Sequence, residues 1–112
     1  MLRGKKNISE QSVSVVIPTL NRASFVRRAL LSVLNQTYKP NEVIVVDNGS
    51  SDGTTEMIKS EFPSVHLIVE NRRGVSIARN VGIHAARCEW IAFLDSDDEW
   101  HPEKLATQLI EL

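Results

Sequence analysis

Three aspartates stand within four positions directly after an apolar segment. Asp95, Asp97 and Asp98 follow the run Trp90–Leu94, which has the composition of a short buried strand. Carboxylates this close together repel one another, so their side chains require a counter-charge. Mg²⁺ and Mn²⁺ prefer oxygen ligands and commonly share them with the phosphates of a substrate. The spacing therefore predicts a divalent cation at Asp95 and Asp97, with a phosphate-bearing ligand beyond it.

Other polar side chains are candidates for the same site. Asp47 follows a second apolar run and could meet the cation or hydrogen-bond a nucleoside, although such a residue can also satisfy turn amides alone. Arg72, Arg73 and Arg79 are the available cations for phosphate oxygens, because a guanidinium binds such oxygens in pairs. For Arg72 and Arg73 an exposed position without a ligand is the simpler interpretation. Asp98 equally suits the first turn of a helix.

Four apolar runs alternate with segments of helical periodicity. We expect strands at about 13–17, 43–46, 65–69 and 90–94, and helices at about 23–35, 54–62, 75–87 and from Pro102 onward. Asp52 or Ser51 is expected to cap the second helix. The alternation indicates an α/β fold, an open and mostly parallel sheet of about four strands with helices on both faces. In such sheets ligands bind beyond the carboxyl ends of the strands, where the winding reverses.

The composition indicates one small domain in a chain of 112 residues. Apolar residues make up 42% of it, enough for a core, and the net charge of −1 argues against general binding to nucleic acids. The one cysteine, Cys88, excludes an internal disulfide, and no apolar run is long enough to cross a bilayer. Residues 1–11 are predicted to be a disordered extension before a domain at 12–112. We expect a cytoplasmic location, with peripheral association at an inner membrane face left open.

The common phosphate-binding sequences are absent, because no G-x-G-x-x-G follows the first strand and no G-x-x-x-x-G-K-[ST] occurs. Instead, four segments together resemble the N-terminal half of a family 2 glycosyltransferase, which has the GT-A fold. The segments are 13–21 (VSVVIPTLN), 42–52 (EVIVVDNGSSD), 71–82 (NRRGVSIARNVG) and 89–100 (EWIAFLDSDDEW). Any one of these motifs alone is weak, whereas their order and spacing together are specific.

The resemblance implies a nucleotide-diphospho-sugar donor. By analogy Asp95-Ser96-Asp97 is the D-x-D motif, with Asp97 on Mn²⁺ or Mg²⁺ at the diphosphate and Asp95 on the ribose or the metal. The donor-binding set that the resemblance implies comprises Pro18, Thr19, Asn21, Asp47, Asn48, Arg79, Asp95 and Ser96. The cation would act as a Lewis acid that neutralises the departing diphosphate. Inverting transfer would also need a carboxylate base for the acceptor hydroxyl.

The sequence departs from the family pattern in three respects. Asn48 stands where many members have a second aspartate that reads the base, and Leu20 stands where an aromatic residue often stacks on it. These departures leave the base of the donor open: the resemblance implies a UDP-sugar or a dTDP-sugar, and another base is an alternative. The catalytic base and acceptor-binding region of the family come after the D-x-D segment, so no base is assigned and the 112-residue chain alone is not expected to transfer a hexose. By family analogy the acceptor is a glycan or lipid-linked saccharide of a cell-envelope polysaccharide.

Two other function classes stay open on the sequence. A receiver-like signalling domain fits the size and the strand–helix alternation, but Pro18 and Thr19 stand where its first strand should end in acidic residues. A receiver domain also needs a lysine at the end of a late strand. That lysine is missing here, because Lys104, the lysine that follows the acidic loop, falls inside the predicted last helix. A non-catalytic scaffold or oligomerisation unit is the second alternative. The fourth strand is expected at a sheet edge, and an open edge invites pairing with a second copy.

Overall fold

The computed structural model of the protein describes residues 11–111 and contains one sheet of four parallel strands. The strands are β1 (Val13–Thr19), β2 (Glu42–Asp47), β3 (His66–Val69) and β4 (Trp90–Phe93), and they lie side by side in the order β3-β2-β1-β4. The central strand β1 is buried along its whole length. Because both of its faces are covered, its sequence is nearly all apolar from Val13 to Pro18, interrupted by the buried Ser14, and does not alternate with polar residues.

Helices cover both faces of the sheet. They are α1 (Ala23–Leu34), α2 (Thr54–Glu61), α3 (Val75–Ala85) and α4 (Lys104–Glu111). Side chains of α1, α2 and α4 form one core with Val15 and Ile17, whereas α3 packs on the opposite face against Val16 and Ile44. The strand order runs from β1 outward to β3 and then returns across β1 to β4, so the winding reverses between β1 and β4. The predicted α/β class and its two helical layers are confirmed.

The last helix begins later than the sequence predicts. Pro102 lies in a tight turn, and the helix itself begins at Lys104. Pro102 therefore precedes the first helical turn and does not form part of it. Leu105 and Leu109 are buried in the core, as their helical spacing predicts, whereas Leu112 lies outside the described residues.

Gln11 is part of the fold that the structure describes. Gln11 was expected to end the disordered extension, but it is buried, and its side-chain carbonyl accepts a hydrogen bond from the indole N–H of Trp90 at 2.8 Å. The Tyr38 hydroxyl also donates to the backbone carbonyl of Gln11. These two contacts join the chain before β1 to β4 and to the α1–β2 connection. The remainder of the predicted extension, residues 1–10, lies outside the described residues.

The carboxylate of Asp52 accepts hydrogen bonds at the N-termini of two helices. Gly53 occupies the N-cap of α2 with φ of +90°, a conformation that favours glycine, so neither Asp52 nor Ser51 holds the cap position as predicted. Asp52 still accepts a hydrogen bond from the backbone N–H of Thr54 at 3.1 Å, and its other oxygen accepts from the N–H of Ala23 at 3.1 Å. The side-chain hydrogen bond from Thr54 lowers the pKa of Asp52 below its usual value. Asp52 therefore couples the starts of α1 and α2.

The predicted open edge at the fourth strand is confirmed. Within residues 11–111, β4 pairs with β1 alone. Its alternate residues Trp90 and Ala92 pack on the larger core, while Ile91 and Phe93 remain 37% and 42% exposed.

Among the helices of the described region, none combines the length and apolar character that a bilayer crossing demands.

Gly82 allows α3 to approach β1 closely. A Cβ atom built at Gly82 would lie 2.3 Å from Cγ1 of the fully buried Val16. We expect Gly82→Ala to displace α3 and to lower the free energy of unfolding by about 1–3 kcal/mol, measured by urea denaturation. Ser76→Ala on the exposed face of the same helix is the control, with an expected change within about 0.5 kcal/mol. A stabilised Gly82→Ala variant, the usual effect of this substitution in an open helix, would contradict the close packing.

Candidate functional site

A cleft of about 560 Å³ opens at the carboxyl ends of β1 and β4, beside the first turn of α3. This is the position where the winding of the sheet reverses, and ligands bind at such positions in open α/β sheets. The backbone N–H of Leu94 donates to the carbonyl of Val16 at 3.1 Å, which carries the chain from β4 alongside β1 into the acidic loop. We call this opening the β1–β4 cleft. Its walls are formed by Pro18, Thr19, Leu20, Arg22, Asn48, Arg73, Gly74, Val75, Ala78, Asp95, Ser96 and Asp97.

The acidic loop brings together the carboxylates that the sequence singled out. One oxygen each from Asp95, Asp97 and Asp98 lies within 4.8 Å of the others, and all three residues are exposed. The backbone N–H of Asp98 donates to the carbonyl of Asp95 at 3.0 Å, which closes a tight turn and brings these side chains close together. An all-carboxylate set open to water suits a hard cation that keeps water and shares its remaining positions with phosphate. The residues therefore fit Mg²⁺ or Mn²⁺.

Two arginines from different parts of the chain pair with this loop. Arg22, in the β1–α1 connection, lies 3.4 Å from a carboxylate oxygen of Asp97. Arg79, on α3, donates to a carboxylate oxygen of Asp95 at 3.2 Å. Each of these four side chains is between 41% and 53% exposed, so the pairs are partly solvated. Partly solvated ion pairs of this kind contribute about 0–1 kcal/mol and are easily exchanged.

Asn48 holds the loop that precedes α3. Its side-chain amide donates to the carbonyls of Glu70 at 2.8 Å and Arg72 at 2.6 Å, and its side-chain oxygen accepts from the N–H of Gly74 at 3.0 Å. The residue is buried, with 5% exposure, although it forms part of the cleft wall. Both amide hydrogens are thus committed to the backbone. The predicted contact between the Asn48 side chain and a nucleotide stays a prediction.

Asp47 and Asn21 are not among the residues that line the β1–β4 cleft. Asp47 is fully buried, and one of its oxygens accepts from the N–H and hydroxyl of Ser50 at 3.0 and 2.6 Å, while the other accepts from the Thr55 hydroxyl. Asn21 has φ of +51°, and its side-chain oxygen accepts from the N–H of Ser51 at 2.7 Å. Asparagine is among the few residues that adopt this left-handed conformation readily. In the structure both residues therefore hold loops in place, and donor contact by either stays a prediction.

Thr19 offers a polar atom that the described residues leave unused. The residue is 4% exposed, and its hydroxyl oxygen has no hydrogen-bond partner within residues 11–111. Its backbone carbonyl accepts from the N–H of Asn48 at 2.9 Å, which fixes the position of Thr19 in the cleft wall. A buried hydroxyl without a partner is costly, so we expect a water molecule or a ligand in the adjacent cleft to supply its hydrogen bond.

The two arginines of the β3–α3 loop have different environments. Arg72 pairs with Glu70 at 2.8 Å, and the hydrogen bonds from its side chain and backbone lower the pKa of the Glu70 carboxyl to about 2. Arg73 lies in the cleft wall, where its guanidinium approaches Gly49. The expectation that both arginines are exposed is confirmed, but only Arg73 is positioned at the cleft.

Sequence reasoning missed two contributions to the site. Arg22 was overlooked, although it directly follows the motif that ends β1, where a basic residue is close to the carboxyl end of the sheet. Gly74 and Val75 also line the cleft and begin α3, whose first turn contains no acidic residue. The N-terminus of such a helix carries a partial positive charge, which favours an anion beside it.

A sequence model for Glycosyl transferase family 2 matches residues 14–112, a range that includes almost all of β1 and the acidic loop. The chain belongs to glycosyl transferase family 2. The resemblance carried by the four sequence motifs is thereby confirmed, and Asp95-Ser96-Asp97 of this family 2 domain corresponds to the expected D-x-D motif.

Relatives of this family 2 domain include proteins of known structure. It is 36% identical over 101 residues to the putative teichuronic acid biosynthesis glycosyltransferase TuaG of Bacillus subtilis, covering 87% of this chain and 40% of TuaG. It superposes on residues 1–349 of S. aureus TarS in complex with UDP-GlcNAc with a TM-score of 0.76 and 31% identity, covering 88% of this chain and 30% of TarS. The mannosyltransferase PcManGT of Pyrobaculum calidifontis, in complex with GDP-Man and Mn²⁺, gives a TM-score of 0.72 and 32% identity, covering 80% of this chain and 28% of PcManGT.

The matched region is only part of each relative. The chain spans 16% to 40% of the length of the bacterial relatives it matches. The comparison therefore establishes the family and the GT-A fold of this region, while activity and acceptor belong to whole proteins that are longer.

Proposed function

We propose that this family 2 domain binds a nucleotide-diphospho-sugar together with a divalent cation in the β1–β4 cleft, as the donor-binding part of a glycosyltransferase. The observation that carries the proposal is the convergence of the D-x-D carboxylates, a buried unpartnered hydroxyl and a helix N-terminus on one cleft. Carboxylates suit the cation, and the cation and helix end suit a diphosphate. The TarS and PcManGT structures with UDP-GlcNAc and with GDP-Man and Mn²⁺ support the same assignment.

Different residues of the cleft would contact different parts of the donor. Asp97 and Asp95 would hold Mn²⁺ or Mg²⁺, which when bound supplies Lewis-acid neutralisation of the departing diphosphate. Pro18 and Thr19 would face the nucleoside, with the Thr19 hydroxyl completing a hydrogen bond to it. Arg73 would add positive charge near the phosphates, because its guanidinium lies in the cleft wall.

The remaining predicted residues would act through the loops around the donor. Asn21, Asp47 and Asn48 fix the three connections at the carboxyl ends of β1, β2 and β3. Ser96 is buried between the two aspartates of the motif and spaces them. Arg79 donates a hydrogen bond to Asp95 and would orient that carboxylate in the acidic loop.

The wider reaction is proposed by analogy with the family. The sugar would pass with inversion to an acceptor hydroxyl of a glycan or lipid-linked saccharide, in the cytoplasm at the membrane face. The teichuronic acid biosynthesis in the name of TuaG supports the proposal that the product is a cell-envelope polysaccharide. Such transfer needs a general base to take the hydroxyl proton. None of the carboxylates in the described cleft is assigned that role, so the 112-residue chain is expected to bind the donor and not to transfer a hexose by itself.

Thermal denaturation of the 112-residue chain with UDP, dTDP or GDP, each with and without Mn²⁺, tests the proposal. Ligand at 100 times its dissociation constant stabilises a protein by roughly 2.7 kcal/mol, which for a domain of this size raises the melting temperature by on the order of 10 °C. We expect at least one diphosphate to produce such a rise only with Mn²⁺ present. If none of them does, the proposal is wrong and the exposed β4 edge favours the alternative, a scaffold that pairs with a second copy.

A further inference from the structure

We propose that Arg22 is a positioning residue that exchanges partners, holding Asp97 in the metal-free protein and contacting the donor's diphosphate once a cation takes its place. The inference rests on the proposed function. It starts from the ion pair of 3.4 Å between the Arg22 guanidinium and the Asp97 carboxylate, both of which lie in the wall of the β1–β4 cleft.

The backbone of Arg22 is held by hydrogen bonds, while its side chain is about half exposed. The Arg22 carbonyl accepts from the N–H of Val26 at 2.8 Å in the first turn of α1, and the following N–H, that of Ala23, is held by Asp52 at 3.1 Å. The guanidinium itself is 48% exposed, and within residues 11–111 it makes one ion pair, of a kind that contributes little to stability. The long side chain of Arg22, on a backbone held in place, can therefore change its partner without disturbing the loop.

The charges in the cleft favour such an exchange. Asp95, Asp97 and Asp98 bring three negative charges to one loop, and a diphosphate adds more. A divalent cation that binds Asp97 competes directly with Arg22 for the same carboxylate. The displaced guanidinium remains within the cleft, where its planar donors match the oxygens of a phosphate.

Arg22→Gln separates the two roles of the side chain. We expect the variant to bind Mn²⁺ alone on the order of threefold more tightly, because the competing cation is gone. We expect it to bind UDP in saturating Mn²⁺ about tenfold more weakly, because a charge-assisted contact to the diphosphate is lost. Manganese electron paramagnetic resonance measures the first constant, and isothermal titration calorimetry measures the second.

The controls distinguish a diphosphate contact from a general change of charge or fold. Arg27→Gln removes the same charge from α1, where Arg27 pairs with Glu61 at 2.6 Å and is 46% exposed, and it should match the wild type in both assays. Uridine, which lacks phosphates, should bind Arg22→Gln and wild type equally. Arg22→Lys should restore part of the UDP affinity, because it keeps the charge and loses the paired donors.

Two results would overturn the exchange. Unchanged Mn²⁺ affinity in Arg22→Gln would show that Arg22 does not compete for Asp97, and this assay remains decisive even if no nucleotide binds. Unchanged UDP affinity in Arg22→Gln, with wild type binding UDP, would show that the guanidinium does not reach the diphosphate. Failure of the wild type to bind any nucleoside diphosphate would instead refute the proposed function itself, so the two failures are separable.

Discussion

Asp97→Asn is expected to remove the Mn²⁺-dependent part of nucleoside-diphosphate binding. In calorimetric titrations with UDP and saturating Mn²⁺ the affinity should fall on the order of 100-fold, equivalent to about 2.8 kcal/mol. An amide keeps the size of the side chain but removes the charge that a hard cation requires. Because the Asp97 side chain is 52% exposed, the free energy of unfolding should change by no more than about 0.5 kcal/mol.

A charge-matched variant away from the cleft isolates this effect. Glu61→Gln also removes one exposed carboxylate, but Glu61 lies at the end of α2 and pairs with Arg27. Its UDP affinity with Mn²⁺ should equal that of the wild type. If Asp97→Asn keeps a Mn²⁺-dependent gain in affinity of wild-type size, then Asp97 is not a ligand of the cation.

Many family members have an aspartate at the position of Asn48, but in this chain Asn48→Asp is expected to destabilise the domain strongly. The substitution places a carboxylate oxygen where the amide of Asn48 now donates to the carbonyls of Glu70 and Arg72. Two donated hydrogen bonds become two repulsive contacts at a buried position, at a cost of about 2–4 kcal/mol. Urea denaturation at pH 7 measures the loss, and the melting temperature should fall by roughly 10 °C or more.

The pH dependence of the Asn48→Asp variant carries a further signature. Burial beside two carbonyls favours the neutral acid, so the introduced carboxyl titrates at a higher pH when folded than when unfolded. Its destabilising effect is therefore full at neutral pH and becomes smaller as the pH falls toward 4. Asn71→Asp, the same change at an exposed position in the adjacent loop, should cost less than about 0.5 kcal/mol. Equal stability of the two variants would contradict the role of Asn48 in holding the loop that precedes α3.

The architecture and the acidic loop could be predicted because their signals are local. A buried parallel strand has a mostly apolar sequence, and an amphipathic helix has apolar residues at a period of 3.6. The alternation of strands and helices from β1 to α4 can therefore be predicted from the sequence. Asp95 and Asp97 directly follow β4, and parallel topology alone brings that strand end to the binding edge of the sheet.

The side-chain partners could not be predicted because they depend on contacts between distant segments. Arg22 meets Asp97 only because β4 returns beside β1, which no local pattern encodes. The three bonds of Asn48 depend on the path of the β3–α3 loop, and the second bond of Asp52 depends on how α1 and α2 are packed. Polar residues in turns have several possible partners within reach, and tertiary packing selects among them.

A crystal structure of the 112-residue chain with Mn²⁺ and UDP would show whether the D-x-D carboxylates bind the donor through a cation. Anomalous scattering would locate the manganese independently of the nucleotide. We expect a manganese peak at the Asp97 carboxylate beside the diphosphate, with the nucleoside next to Thr19 and Arg22 withdrawn from Asp97. An empty β1–β4 cleft under saturating ligand, with Arg22 still paired to Asp97 and Arg79 to Asp95, would contradict this expectation.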